Sequence, residues 1–254
     1  MNIIKLPKSI LAFTTACLLM LPSITLAYSN TDLDIVLNGG SCVGGDLAGA
    51  DLSGLDLSGR DFSGADFTQA RLDATKLDNA NLNNVNLRHA LLSRASLRHA
   101  QLQNADLTMA TALEADFTNA NLSGAKLYRT QIQGAQLLNA DLSKANAMEI
   151  SMDNAKADYA DFSFANIPYS WLRSASLKNA SFYGANMYMS KLSRADLTEA
   201  DLRSAKMAKT NLRRSNLDYA KFDKAILDKA DLRGASMKFT EFGTAFMKDT
   251  LLDK

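Results

Sequence analysis

The chain of 254 residues carries 28 Lys and Arg against 27 Asp and Glu, with 47% hydrophobic residues, 3 Pro, 2 Cys and 2 His. That composition excludes intrinsic disorder and a disulfide-stapled framework. The formal charge of +1 removes the simplest basis for nucleic-acid binding, which needs surplus cations, and also the simplest basis for an acidic mimic of DNA.

Residues 1–27 differ in kind from the rest of the chain. Lys5 and Lys8 precede an apolar run from Ile10 to Leu21, then Pro22 and the small-residue end Thr25-Leu26-Ala27. This order is that of a secretory signal peptide cleaved after Ala27. An uncleaved anchor is the competing reading, but the run is about a dozen residues where a spanning helix needs roughly 20. Removal would leave a charge of −1 and Cys42 as the only cysteine, so no intramolecular disulfide. The expected location is periplasmic or fully secreted, with no membrane association after cleavage. Residues 28–44 read as an N-terminal cap and 45–254 as the repeat domain.

From Leu47 to Leu252 the chain repeats every five residues without an insertion, giving 42 central positions, of which 39 are Leu, Phe, Met or Ile. The exceptions are Ala112, Ala147 and Ala157. Two residues before each centre stands Ala in 29 cases and Gly, Ser or Thr in nine more, and the residue between them is most often Asp or Asn. A period of five fits neither a helix nor a long strand, so each unit is a short extended piece followed by a turn. Alternation along the extended piece puts the small residue and the centre inside and the Asp or Asn outside. The remaining two residues, rich in Ser, Thr, Gly, Asn and Asp, suit a turn. One unit cannot bury its own apolar pair, so the units must stack as a solenoid.

Ala50-Asp51-Leu52-Ser53-Gly54, Ala65-Asp66-Phe67, Ala120-Asn121-Leu122 and Ala195-Asp196-Leu197 resemble the unit of the pentapeptide-repeat family, over about four fifths of the chain. The resemblance implies an all-β fold, a right-handed quadrilateral β-helix with four pentapeptides per coil. At that number the repeat makes about ten coils and, with roughly 4.8 Å between stacked strands, a rod on the order of 50 Å long.

With residues 20 apart stacked, the Asp residues of the first coil point away from one another. They therefore read as caps on adjoining turns and not as a calcium site. His89 and His99 lie half a coil apart and cannot share a metal. No nucleophile stands beside a base, so the expectation is a non-enzymatic protein with no cofactor and no metal. Two surface stripes depart from the polar background. Met109, Tyr128, Met148, Tyr169, Tyr188 and Met189 follow one corner with Trp171 beside them, a candidate partner surface. Tyr159, Phe164 and Tyr183 sit on other corners, and Ala147, Ile150, Ala157 and Pro168 in the same coils allow a local irregularity instead. Arg173, Arg194, Arg213, Arg214 and Arg233, with Lys191, form a candidate basic stripe, either a solvated edge or a site for an anionic partner.

At the other end the repeat runs to Leu252, and Ile226, Phe246 and Leu251 stand where Asp or Asn is usual. These four residues are the candidate end of a homodimer, an arrangement that also resembles dimers of the family. The leading function is an exported protein-binding or structural module. The alternatives are a DNA-mimicking inhibitor or protector of DNA gyrase, implied by the resemblance, and a secreted effector acting on a host cell.

Overall fold

The computed structural model describes residues 28–253. The expected signal peptide lies outside the described residues. The only helix among them, α1 (Asn30–Leu37), is capped by Ser29, whose hydroxyl accepts the Asp32 N–H. It is tied to the first coil, because the Arg60 guanidinium donates to the Val36 carbonyl at 2.7 Å and Asp32 accepts the Asp46 N–H. Val36 is buried and Leu33 packs on the same core.

Everything after α1 is a β-solenoid built from five-residue units. The outward residue of each unit forms an isolated parallel β-pair with the residue 20 positions on, from Asp46 with Asp66 to Asp231 with Leu251. The units therefore fall into four columns. The first runs through Asp46 to Phe246, the second through Asp51 to Leu251, the third through Asp56 to Ser236 and the fourth through Asp61 to Glu241.

Backbone bonding explains why so short a strand persists. The Leu47 N–H donates up to the Asp66 carbonyl, and the Asp66 N–H donates down to the Gly45 carbonyl, each at 2.8 Å. The next unit is reached by a turn in which the small residue donates back to the preceding centre, as Ala50 does to Leu47 at 3.0 Å. The second turn residue is left-handed nearly everywhere, with φ 57° at Asn104 and 59° at Tyr169, as a type II turn requires. Pro168, at the first turn position, suits that geometry. The turn after Phe242 is the exception. There Gly243 is the left-handed residue (φ 48°), and a Cβ on it would lie 2.5 Å from an Asp223 carboxylate oxygen.

The interior follows the inward and outward alternation. Small residues and centres are buried through coil after coil, and Phe162 stacks on Phe182 with ring centroids 4.8 Å apart. Where a small position is polar, the buried hydroxyl donates to the carbonyl of a centre one coil below, as Thr130 to Leu107, Ser190 to Ile167 and Thr210 to Met187, except at Ser215, which donates to the preceding centre Leu212. The coils with shrunken centres show no irregularity. Ile150, fully buried, stands in the small position next to Ala147, and the pairing of Ser151 with Trp171 is intact. The solenoid also begins one unit before Leu47: Cys42 is buried as a centre, donates to the Asp61 carbonyl and accepts the Gly45 N–H. Its neighbour at the small position is Gly40, and no Asp or Asn precedes it, which hid the unit.

The outward Asp and Asn residues cap turns. Asp61, Asp141 and Asn121 each accept the N–H of the residue two positions on, at 2.8 to 2.9 Å. The Ser63 amide holds the Asp61 carboxyl below its ordinary range, and at the first turn positions Asp218 and Asp223 are held low by the next coil, through the Ser236 hydroxyl and Lys238 amide and through the Thr244 amide and hydroxyl. A carboxyl with a lowered folded pKa contributes stability that is present above its unfolded value and is lost as pH falls through the folded one. The melting temperature is therefore expected to be level from pH 7 to about 5 and to fall once the pH passes below about 4. A flat profile down to pH 2 would remove these caps as contributors.

Candidate functional site

The second column presents a flat outward strip bordered by two corners. One border is the turn between the first and second columns, and it carries Met109, Tyr128, Met148, Tyr169, Tyr188 and Met189. The other border is the turn between the second and third columns, and it carries Arg173, Arg194, Arg213, Arg214 and Arg233. The two stripes legible in the sequence are thus the two edges of one face. Trp171 and Lys191 pair as successive rungs at its centre.

On the apolar edge, Tyr169 and Met189 are 45% and 41% exposed, and Tyr169 meets Tyr188 edge to face at 5.7 Å. Turn geometry holds these side chains outward, because the left-handed backbone at Tyr169 and Met189 aims them away from the coil. Tyr128 and Met148 are half-buried on the same corner. Trp171, also half-buried, keeps its outward place and carries the Lys191 ammonium 5.6 Å from its ring centroid. Lys209, one coil above Met189, donates to the Tyr188 hydroxyl at 3.0 Å and lies over that ring. Sequence reading passed over Lys209 because its stripe was followed by apolar character alone.

Three open depressions lie along the face. One depression is lined by Arg129, Glu149, Asp153, Trp171 and Arg173 among others, a second by Glu149, Tyr169, Trp171, Met189 and Lys191, and a third by Ser193, Arg194, Asn211, Arg213 and Arg214. Charges on the lower part are matched. Arg129 pairs with Glu149 at 2.7 Å, and Arg173 with Asp153. Higher up, Arg233 pairs with Asp231 at 2.7 Å and Arg213 approaches the same carboxylate at 3.7 Å. Between them, Lys191, Arg194, Lys209 and Arg214 have no carboxylate partner among the described residues. The charge is also uneven along the chain: residues 28–170 hold 17 Asp and Glu against 10 Lys and Arg, and residues 171–254 hold 10 against 16.

His99 faces the Asn119 amide at 3.4 Å, on the corner opposite that of His89. No three His, Cys, Asp or Glu converge on a metal position among the described residues. Cys42 is buried, and desolvation followed by the charge of Asp32 pushes its thiol up, away from the reactive thiolate. The candidate dimer end lies far up the rod. Ile226 pairs with Phe246 in the first column, Leu251 ends the second, and Phe246 is 61% exposed. A further apolar pair there went unnoticed in the sequence: Tyr219 stacks on Phe239 at 5.1 Å on the corner between the third and fourth columns. Their spacing of 20 was the available signal.

A family profile described as pentapeptide repeats matches the chain in eight overlapping copies, from residues 34–69 to residues 195–234. Among solved structures, the chain is similar to HetL, a pentapeptide repeat protein involved in heterocyst differentiation regulation from the cyanobacterium Nostoc sp. strain PCC 7120. The identity is 29% over 86% of this chain and 94% of that one, with a TM-score of 0.52. It is also similar to QnrB1, a plasmid-mediated fluoroquinolone resistance protein, at 18% identity over 72% of this chain and 92% of that one, again with a TM-score of 0.52. The second likeness is one of fold. No curated protein matches the chain significantly.

Proposed function

The chain belongs to the pentapeptide-repeat family, and from that premise we propose that it is an exported, non-enzymatic binding module that docks another protein on the second-column face. The rod is read as a right-handed, four-sided β-helix of about ten coils, whose rigidity holds that face flat. The observation that carries the reading is the apolar corner at turn positions where Tyr169 and Met189 are exposed, with half-buried Tyr188 packed edge to face on Tyr169 and Trp171 beside them. Large apolar and aromatic side chains grouped on a surface mark partner sites. A role in DNA mimicry has less support, because a rod that imitates a duplex must be strongly acidic and this face is cationic.

The experiment places a photo-crosslinking amino acid at Tyr169 or Met189, and at Lys221 two columns away, in the full chain expressed in its native compartment. A discrete adduct from the first two sites and none from Lys221 is expected. The intact mass of the recovered chain should lack residues 1–27. Equal labelling at all three sites would overturn the docking face, and a recovered species still carrying Lys5 and Lys8 would overturn export with cleavage.

A second reading rests on a separate observation. In the last coil the interior positions Met237, Phe242 and Met247 are only half-buried and Leu252 is exposed, whereas the centres below are closed off. Pairing of two such ends by a two-fold axis would cover them, which makes Ile226, Phe246, Leu251 and Leu252 the proposed homodimer end.

A further inference from the structure

We propose that the upper second-column face is a receptor for an acidic peptide segment of the partner protein, an inference that rests on the docking face described above and names the chemistry that fills it. Along this rod, charges one coil apart are usually opposite in sign. Arg71 pairs with Asp51, Lys76 with Asp56, Arg94 with Glu114, Lys126 with Asp106 and Arg129 with Glu149, each across 20 residues. Like charges also stack in places, Asp46 under Asp66, Asp141 under Asp161, Lys209 under Lys229 and Arg213 under Arg233, and one such stack lies within the acid-free part of this face. Arg194 and Arg214 stand one above the other, both exposed, with Ser174 below and Gly234 above. Like charges stacked in register are destabilising unless an anion lies between or over them.

The stack of Arg194 and Arg214 is part of a larger exclusion of negative charge. The face and both its corners in three successive coils, residues 168–174, 188–194 and 208–214, hold six cations and no carboxylate. Carboxylates return only in the coils below and above, at Glu149 and Asp153 and at Asp228 and Asp231. The adjoining first column is equally free of acid over the same height, with Asn166, Asn186 and Lys206 outward. In a chain of nearly balanced charge this is a concentrated positive field on one side. Guanidinium pairs suit carboxylates bidentately, and the Tyr169, Tyr188 and Met189 edge supplies apolar contact for side chains interleaved with them. That mixed character fits a polypeptide better than a phosphate backbone, whose affinity scales with the number of neutralised phosphates. Four unpartnered cations over three coils, roughly 10 Å of rod, are few for a duplex.

Trp171 is the only tryptophan in the chain and sits inside the patch with Lys191 over its ring, so its fluorescence reads occupancy directly. The test titrates the purified chain at low salt with a ten-residue peptide alternating Glu and Leu. Parallel titrations use the Gln and Leu counterpart, a 20-base-pair DNA duplex, and vesicles containing phosphatidylserine. A saturable change of Trp171 emission with the Glu peptide alone is expected, weakened by added salt. Arg194→Glu with Arg214→Glu should weaken it at least about tenfold. Both sites are exposed, and Arg194→Gln with Arg214→Gln provides a milder check if the reversed pair misfolds. No response to the Glu peptide, a response unchanged in the double variant, or tighter binding of the duplex or the vesicles would overturn the proposal. Crosslinked adducts at Tyr169 and Met189 in the face of such a result would leave the docking face standing and remove only its acidic ligand.

Discussion

Leu122→Asp is expected to unfold the coils around it, lowering the melting temperature by roughly 10 °C or more, an effect of about 4 kcal/mol or larger. Leu122 is fully enclosed at the centre of a unit, and a carboxylate there would be buried with no cation in reach. Its neighbour gives the control. Asn121 points outward and its side-chain oxygen accepts the Ser123 N–H at 2.9 Å, a bond that a carboxylate makes equally well. Asn121→Asp should therefore shift the melting temperature by no more than about 1 or 2 °C, since surface changes of this kind stay within about 0.5 kcal/mol. Because each coil touches only its neighbours, the Leu122 lesion should appear as a partial transition that spares the ends. Equal loss in both variants, followed by circular dichroism, would reverse the inward and outward assignment.

The second large effect concerns the far end of the rod. Light scattering on the purified protein is expected to give about twice the monomer mass, and Phe246→Glu with Leu251→Lys is expected to halve it. Phe246 and Leu251 are 61% and 44% exposed and occupy outward places where a polar residue would leave the end soluble. The interior residues Met237, Phe242 and Met247 beside them are only half-buried, so pairing would also cover apolar surface there. A wild-type monomer at high concentration would sink the dimer. The double variant should keep its circular dichroism, since neither side chain contributes to the buried core.

Much of this molecule could be read from its period alone. A small residue, a polar residue and a large apolar residue recurring every five positions can bury apolar surface only if strands of one or two residues alternate with turns, and the structure has that form from Cys42 onward. Outward Asp and Asn could be read as turn caps because their short side chains reach only the amide two residues on, as Asp61 does with Ser63. The tolerance of Ala147 was not legible. A lone period predicts a void there, whereas the coil stays closed, with Ala147 and the oversized small-position residue Ile150 both buried.

The candidate site divides in the same way. Its residues were visible as two stripes because exposed aromatics and clustered arginines are unusual at turn positions. That the stripes border a single face, and that Arg173 and Arg213 are engaged by Asp153 and Asp231 of neighbouring coils while Arg194 and Arg214 are not, depended on the stacking of coils. Electrostatic matching acts between residues 20 apart and across corners, where side-chain reach and rotamer choose the partner. The repeat is a local rule that each five residues obey alone, so it is written in the sequence. Some charge pairs are local, as between Arg233 and Asp231 two residues apart, but those of Arg129 with Glu149 and Arg173 with Asp153 join different coils and exist only once the coils are stacked.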